Sequence, residues 1–190
     1  MTFRKFHRKV AWVVFPLLAV SAITGLTYRV GRNWFKMSDE TGAAVRSVHE
    51  GGYLGEALTP VYVLLTGGGL LLLIISGLTM VRTKAARAGQ PVRRNVRWFH
   101  RVGSIVMVLP LAATALTGIG FRLSQSWFGW SKDEAKWLMD VHQGTLLFGK
   151  DYRLYYVLFV GIGLLMLLGT GVKLLRVLRM FRGKARGAGQ

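Results

Sequence analysis

The residues best suited to chemistry in this chain are its four histidines, which form two pairs with one common spacing. His7 and His100 lie 93 residues apart, and so do His49 and His142. The chain has 190 residues and no cysteine, so thiolate and iron–sulfur ligation are excluded. Histidine is then the strongest ligand available. The spacing therefore predicts that the four imidazoles act together as axial ligands of haem iron.

The same spacing relates many other residues, so the histidines belong to an internal repeat of residues 1–93 and 94–190. The pairs of identical residues include Phe6/Phe99, Arg8/Arg101, Thr24/Thr117, Gly25/Gly118, Arg29/Arg122, Trp34/Trp127, Gly51/Gly144 and Tyr62/Tyr155. We interpret 1–190 as a single membrane domain made of two related halves.

Four apolar stretches are long enough to cross a membrane. They cover residues 10–28, 61–81, 102–121 and 155–172, and about 20 residues of helix span a hydrocarbon core of roughly 30 Å. A chain in lipid must satisfy its own backbone hydrogen bonds, which favours helices. The capping-box pattern from Ser131 to Glu134, and more weakly Ser38, predicts short helices in the loops. The sequence thus predicts an all-α membrane protein, a four-transmembrane-helix bundle of two repeated helical hairpins with short outer interfacial helices.

The distribution of charge predicts the orientation of the bundle. The two terminal segments and the middle loop hold 17 of the 26 basic residues and no acidic residue, while all eight acids lie in the other two loops. By the positive-inside rule, both termini and the middle loop are cytoplasmic, and residues 30–60 and 122–154 face outwards. The net charge of +18 is then mainly a topology signal that also attracts membrane lipid. A nucleic-acid partner is not expected, because the chain lacks a soluble basic face.

Depth in the membrane decides which histidines can share a ligand. His7 and His100 are expected just before the cytoplasmic ends of the first and third spans, whereas His49 and His142 are expected near the outer face. An approximate two-fold axis along the membrane normal would bring each same-side pair together. A lone histidine beside arginines is usually a polar anchor, but two symmetric pairs favour ligation. Structural zinc takes four protein ligands, whereas haem iron needs two axial ones. The prediction is two bis-histidine b-type haems.

Four arginines at matched positions are candidate partners for haem propionates, since guanidinium groups pair well with carboxylates. Arg8 and Arg101 would serve the inner haem, and Arg29 and Arg122 the outer one. For Arg8 and Arg101, membrane topology alone is an equally good explanation.

Several short motifs around the histidines resemble those of PepSY-associated transmembrane proteins. The first-helix pattern is His7-Arg8 with Ala22-Ile23-Thr24-Gly25, matched by His100-Arg101-Val102-Gly103 with Ala115-Leu116-Thr117-Gly118. The second-helix pattern is Val48-His49-Glu50-Gly51 with Leu54-Gly55 and Ile75-Ser76-Gly77-Leu78, and Val141-His142-Gln143-Gly144 repeats its first part. The resemblance covers nearly the whole chain. It implies haem b and an activity similar to that of membrane ferric-siderophore reductases of the bacterial inner membrane, although this chain has no PepSY domain in its outer loops.

The sequence therefore favours a dihaem b-type cytochrome that transfers electrons across the bacterial inner membrane. Chelated ferric iron is a candidate external acceptor, and quinone is a candidate donor or acceptor. No acid–base pair, nucleophile or dinucleotide-binding glycine loop is visible, so the protein would supply cofactor placement and electrostatics. The alternative is an accessory or structural membrane subunit, with or without haem, of a larger respiratory or photosynthetic complex.

Overall fold

The computed structural model of the chain describes residues 3–85 and 95–175, with side chains for all of these except 82–85. Most of the basic middle loop and the basic segment 176–190 lie outside this part. The described residues form no strand. The helices are α1 (Phe3–Trp34), α2 (Asp39–Glu50), α3 (Thr59–Ala85), α4 (Val96–Phe128), α5 (Lys136–His142), α6 (Thr145–Phe148) and α7 (Arg153–Leu174), with a single 3-10 turn (Gly52–Leu54) between α2 and α3.

Four of these helices are long and apolar enough to cross a membrane, namely α1, α3 over Thr59–Val81, α4 and α7. The predicted all-α membrane bundle is confirmed. Helices α1 and α4 contain 32 and 33 residues, and at 1.5 Å per residue they are roughly 50 Å long. They are longer than the apolar stretches because their polar ends continue the helix.

The extra length corrects the expected positions of two histidines. His7 and His100 lie inside α1 and α4, rather than just before them. Residues 3–6 and 95–99, which precede the two histidines, include no glycine or proline that would stop a helix. Asn95 caps α4 by accepting from the backbone N–H groups of Arg97 and Trp98 at 3.1 and 3.2 Å. Both imidazoles therefore project from regular helix near its start.

The long helices pack as a bundle in which α3 and α7 each contact both α1 and α4. At the centre, Leu18 of α1 and Leu111 of α4 are each only 2% exposed. Leu70 of α3 and Leu164 of α7 complete this buried core layer. The bundle is therefore tightly packed at mid-height, and the histidines lie nearer to its two ends.

The short helices form where the sequence predicts them. Ser38 caps α2 by accepting from the Thr41 N–H at 3.2 Å, and Gly51 ends that helix in the left-handed conformation. In the second half, Glu134 accepts from the Ser131 N–H at 2.7 Å while its own N–H donates to Ser131 Oγ at 3.2 Å. This reciprocal pair is the predicted capping box, although α5 itself begins at Lys136.

The second half contains one extra residue, so the spacing of 93 does not hold throughout the repeat. Gly51 and Gly144 adopt left-handed φ values of 76° and 74°, but the turn that follows spans three residues in the first half and four in the second. A Cβ on Gly51 or on Gly144 would lie 2.4 Å from the ring of Tyr62 or Tyr156, respectively. Tyr156, rather than Tyr155, is therefore the equivalent of Tyr62. The spacing is 93 up to Gly144 and 94 beyond it.

Candidate cofactor sites

Among the described residues, two cavities of the bundle are each lined by one pair of histidines. The His7–His100 cavity has a volume of about 540 Å³, and the His49–His142 cavity has a volume of about 520 Å³. Both values lie within the range of roughly 300–1,000 Å³ that is typical of small-molecule sites. The structure thus brings together the histidines that were paired by their expected depth.

Hydrogen bonds fix the tautomers of His7 and His100. The Nδ1 atom of His7 lies 2.8 Å from Ser76 Oγ, and that of His100 lies 2.8 Å from Thr170 Oγ1. Each hydroxyl already donates its single hydrogen to a backbone carbonyl, Ser76 to Leu72 and Thr170 to Met166. The oxygens must therefore accept from Nδ1–H. The lone pair then lies on Nε2 of each imidazole.

His49 and His142 also carry their hydrogen on Nδ1. Their Nδ1 atoms lie 2.8 Å from the carbonyl oxygens of Ser21 and Thr114, respectively. A carbonyl oxygen can only accept, so Nδ1 carries the hydrogen. No described residue hydrogen-bonds to Nε2 of any of the four histidines. Each cavity therefore holds two imidazoles whose Nε2 lone pairs are unengaged.

Both histidines of the second cavity are neutral at neutral pH. Burial, together with the nearby His49 imidazole, lowers the pKa of His142 to about 4. Burial also lowers the pKa of His49. The neutral imidazole is the form that ligates a metal.

Glycines allow the imidazoles to lie against neighbouring helices. A Cβ on Gly25 would lie 3.0 Å from Cε1 of His49, and one on Gly118 would lie 3.0 Å from Cε1 of His142. At these distances the imidazole would have to shift to accommodate a Cβ atom. Other helix glycines have a different role, since a Cβ on Gly67 or Gly161 would meet Ile119 or Leu26, so they serve close helix packing.

Four exposed arginines line the His7–His100 cavity, and no acidic residue does so among the described residues. Arg8 and Arg101 were predicted from the sequence. Arg4 and Arg97 were not, although the same spacing of 93 relates them. The four guanidinium groups make this cavity suited to a ligand that carries carboxylates.

Three arginines line the His49–His142 cavity, and two of them, Arg29 and Arg122, have unequal partners. Arg122 forms an ion pair with Glu50 at 2.6 Å. Arg29 donates from Nη2 to the neutral Gln143 at 2.7 Å and forms no ion pair with any described residue. Arg29 is 7% exposed, and its Nε has no partner. A buried cation with an unused donor is costly unless an anion binds beside it.

The two cavities share a wall. Leu18, Leu70, Leu111 and Leu164 line both of them. One layer of leucine side chains therefore separates a ligand in one cavity from a ligand in the other.

A bare metal ion fits these sites poorly. No group of three or more histidine, cysteine, aspartate or glutamate side chains arranged for metal binding occurs in the described ranges. Each cavity offers two imidazoles, and the one carboxylate that lines a cavity, that of Glu50, is paired with Arg122. Two imidazoles match the axial requirement of haem iron rather than a protein metal cage.

Comparisons of the chain with protein-family models, with curated proteins and with solved structures find no match. The resemblance to PepSY-associated proteins therefore rests on the short sequence motifs alone, and arguments about function rest on the two cavities.

Proposed function

We propose that this protein is a dihaem b-type cytochrome that transfers electrons across a bacterial inner membrane. The observation that carries the proposal is the pair of imidazoles in each cavity, with Nδ1 engaged and the Nε2 lone pair unengaged. Hydrogen bonding of Nδ1–H to an acceptor is the usual way in which a protein orients a metal-ligating histidine.

The residues present fit two haems. His7 and His100 would ligate one iron, and His49 and His142 the other. The unpartnered Nε of Arg29 suits an anionic propionate, as do Arg122, Arg8 and Arg101. Apolar side chains such as the shared leucines would contact the faces of the macrocycles and exclude water.

Bound haem would supply one-electron oxidation and reduction of iron, which no side chain of this chain can provide. The protein's own residues would hold and orient it. Ser76, Thr170 and the carbonyls of Ser21 and Thr114 fix the imidazoles, while the arginines offset negative charge. The leucine layer would separate the two sites by a single layer of apolar side chains. Among external acceptors we favour chelated ferric iron over quinone, because the resemblance to membrane ferric-siderophore reductases supports it.

The visible spectrum of the purified protein tests this proposal. We expect the Soret and α bands of haem b, with two haems per chain. A protein that is folded and monodisperse but has no haem bands, even after haem is supplied during expression, would instead support an accessory subunit of a larger membrane complex.

We further propose that the termini are cytoplasmic, on the strength of the basic residues at the starts of α1 and α4. Because the sequence has no cysteine, an engineered cysteine is the only thiol that a maleimide can label in each variant. In spheroplasts, an impermeant maleimide is expected to label Glu56→Cys and to leave Lys5→Cys unlabelled, because both sites are exposed but lie at opposite ends of the bundle. Labelling of Lys5→Cys from outside would reverse the orientation.

Loss of the buried guanidinium at position 29 is expected to weaken haem binding and to make one haem harder to reduce. A charge-assisted hydrogen bond contributes about 1.5–3 kcal/mol, and removing positive charge disfavours the reduced iron. Haem retention and a redox titration of Arg29→Gln would measure both effects, and the double Arg29→Gln, Arg122→Gln variant would extend them. Unchanged potentials in the double variant would return these arginines to the role of interfacial anchors.

A further inference from the structure

The His49–His142 cavity has two contacts that are equivalent in position and unequal in charge. Arg122 Nη2 donates to Glu50 Oε2 at 2.6 Å, and Arg29 Nη2 donates to Gln143 Oε1 at 2.7 Å. Glu50 and Gln143 each follow a cavity histidine directly in the sequence. Each arginine belongs to one half of the repeat, and its partner belongs to the other half.

The pair of contacts shows that the carboxylate is not needed for the geometry. Gln143 accepts from Arg29 at nearly the distance at which Glu50 accepts from Arg122. A neutral amide is therefore sufficient to tie an arginine across the cavity. What Glu50 adds is a negative charge, and it is the only carboxylate that lines either cavity among the described residues.

The position of this charge makes it effective. The side chains of Arg122 and Glu50 are 24% and 30% exposed, so solvent screens them less than it screens a surface pair. The Glu50 pair adds no net charge to the cavity wall, whereas the equivalent Arg29 contact adds one positive charge. A positive wall favours reduction of a bound redox group, and a carboxylate opposes it.

We propose that Glu50 lowers the reduction potential of the group held between His49 and His142, and that it does so by its charge rather than by positioning. This inference rests on the proposed function, since it concerns a redox group in that cavity. It gives the two ends of the bundle different electrostatic environments. Each cavity is lined by four basic side chains, but only the His49–His142 cavity also has a carboxylate among the described residues.

Reciprocal substitutions at the two equivalent positions test the proposal. Redox titration of Glu50→Gln should show a more positive potential for one of the two haems and no change in the other. Gln143→Glu should shift the same haem in the negative direction. In each variant we expect the equilibrium constant for reduction to change by a few-fold to roughly tenfold, as one partly screened charge at this depth would produce. The double variant Glu50→Gln, Gln143→Glu moves the carboxylate to the equivalent place and should restore a potential near that of the wild type.

A matched control is Glu56→Gln, which removes the same charge from an exposed position that does not line the cavity. Its potentials should equal those of the wild type. The proposal is overturned if Glu50→Gln keeps both haems and both potentials, or if Glu50→Gln and Gln143→Glu shift the potential in the same direction. Should Glu50→Gln fail to fold, the sign of the shift in Gln143→Glu decides alone. A wild-type protein without haem bands is a different result, which rejects the proposed function itself.

Discussion

Replacing His49 with alanine is expected to remove about half of the haem from the purified protein, and replacing His142 is expected to do the same. Both imidazoles line one cavity, and a bis-histidine haem that loses one of its two protein ligands is no longer held on both faces. The other cavity has its own pair of histidines, His7 and His100, on different helices. It should therefore keep its haem. The measurement is the ratio of haem to protein in detergent-purified samples.

Double variants separate a shared site from independent anchors. His49→Ala with His142→Ala should lose no more haem than either single variant, because the two residues serve one site. His7→Ala with His49→Ala should lose nearly all of it, because these residues serve different sites. Additive loss in the first double variant, or full retention in both single variants, would contradict the pairing.

The pairing of the histidines could be predicted from sequence because two strong constraints agree. Hydropathy separates the two pairs by a membrane, and the repeat relates the members of each pair. The packing then follows from the approximate two-fold relation of the halves. The ends of α1 and α4 were less predictable, because hydropathy detects apolar residues and not the polar turns, such as that around His7, which continue the same helix.

The groups that orient His7 and His100 could not be found from the sequence repeat. Their partners are Ser76 and Thr170, which differ in residue type and are 94 residues apart. The extra residue after Gly144 changes the spacing before these positions are reached. Only the packed helices show that the two hydroxyls occupy equivalent places.

The unequal contacts of Arg29 and Arg122 also could not be predicted from the sequence. Glu50 and Gln143 stand at matched positions, so their difference in charge is visible in the repeat. That Arg122 and Arg29 reach across the cavity to them depends on how the two halves pack. The charge difference acquires a meaning only because Glu50 and Gln143 line the same cavity as the paired histidines.

Electron transfer across a sealed membrane should need both sites. The two cavities lie towards opposite ends of the bundle and share a wall of four leucines, so a carrier in each would leave one layer of side chains between them. Loss of either carrier should then stop transfer, although the remaining site is intact. We expect His7→Ala and His142→Ala to be equally inactive while retaining different haems.

Reconstituted vesicles provide the most direct measurement, with a membrane-impermeant reductant enclosed and an impermeant ferric chelate outside. The rate of chelate reduction should be well above that of protein-free vesicles for the wild type. It should fall to that background for His7→Ala and for His142→Ala, while Glu56→Gln keeps the wild-type rate. A wild-type rate at background in vesicles that contain fully loaded protein, or a single-site variant that transfers electrons as fast as the wild type, would contradict electron transfer through the two sites in series.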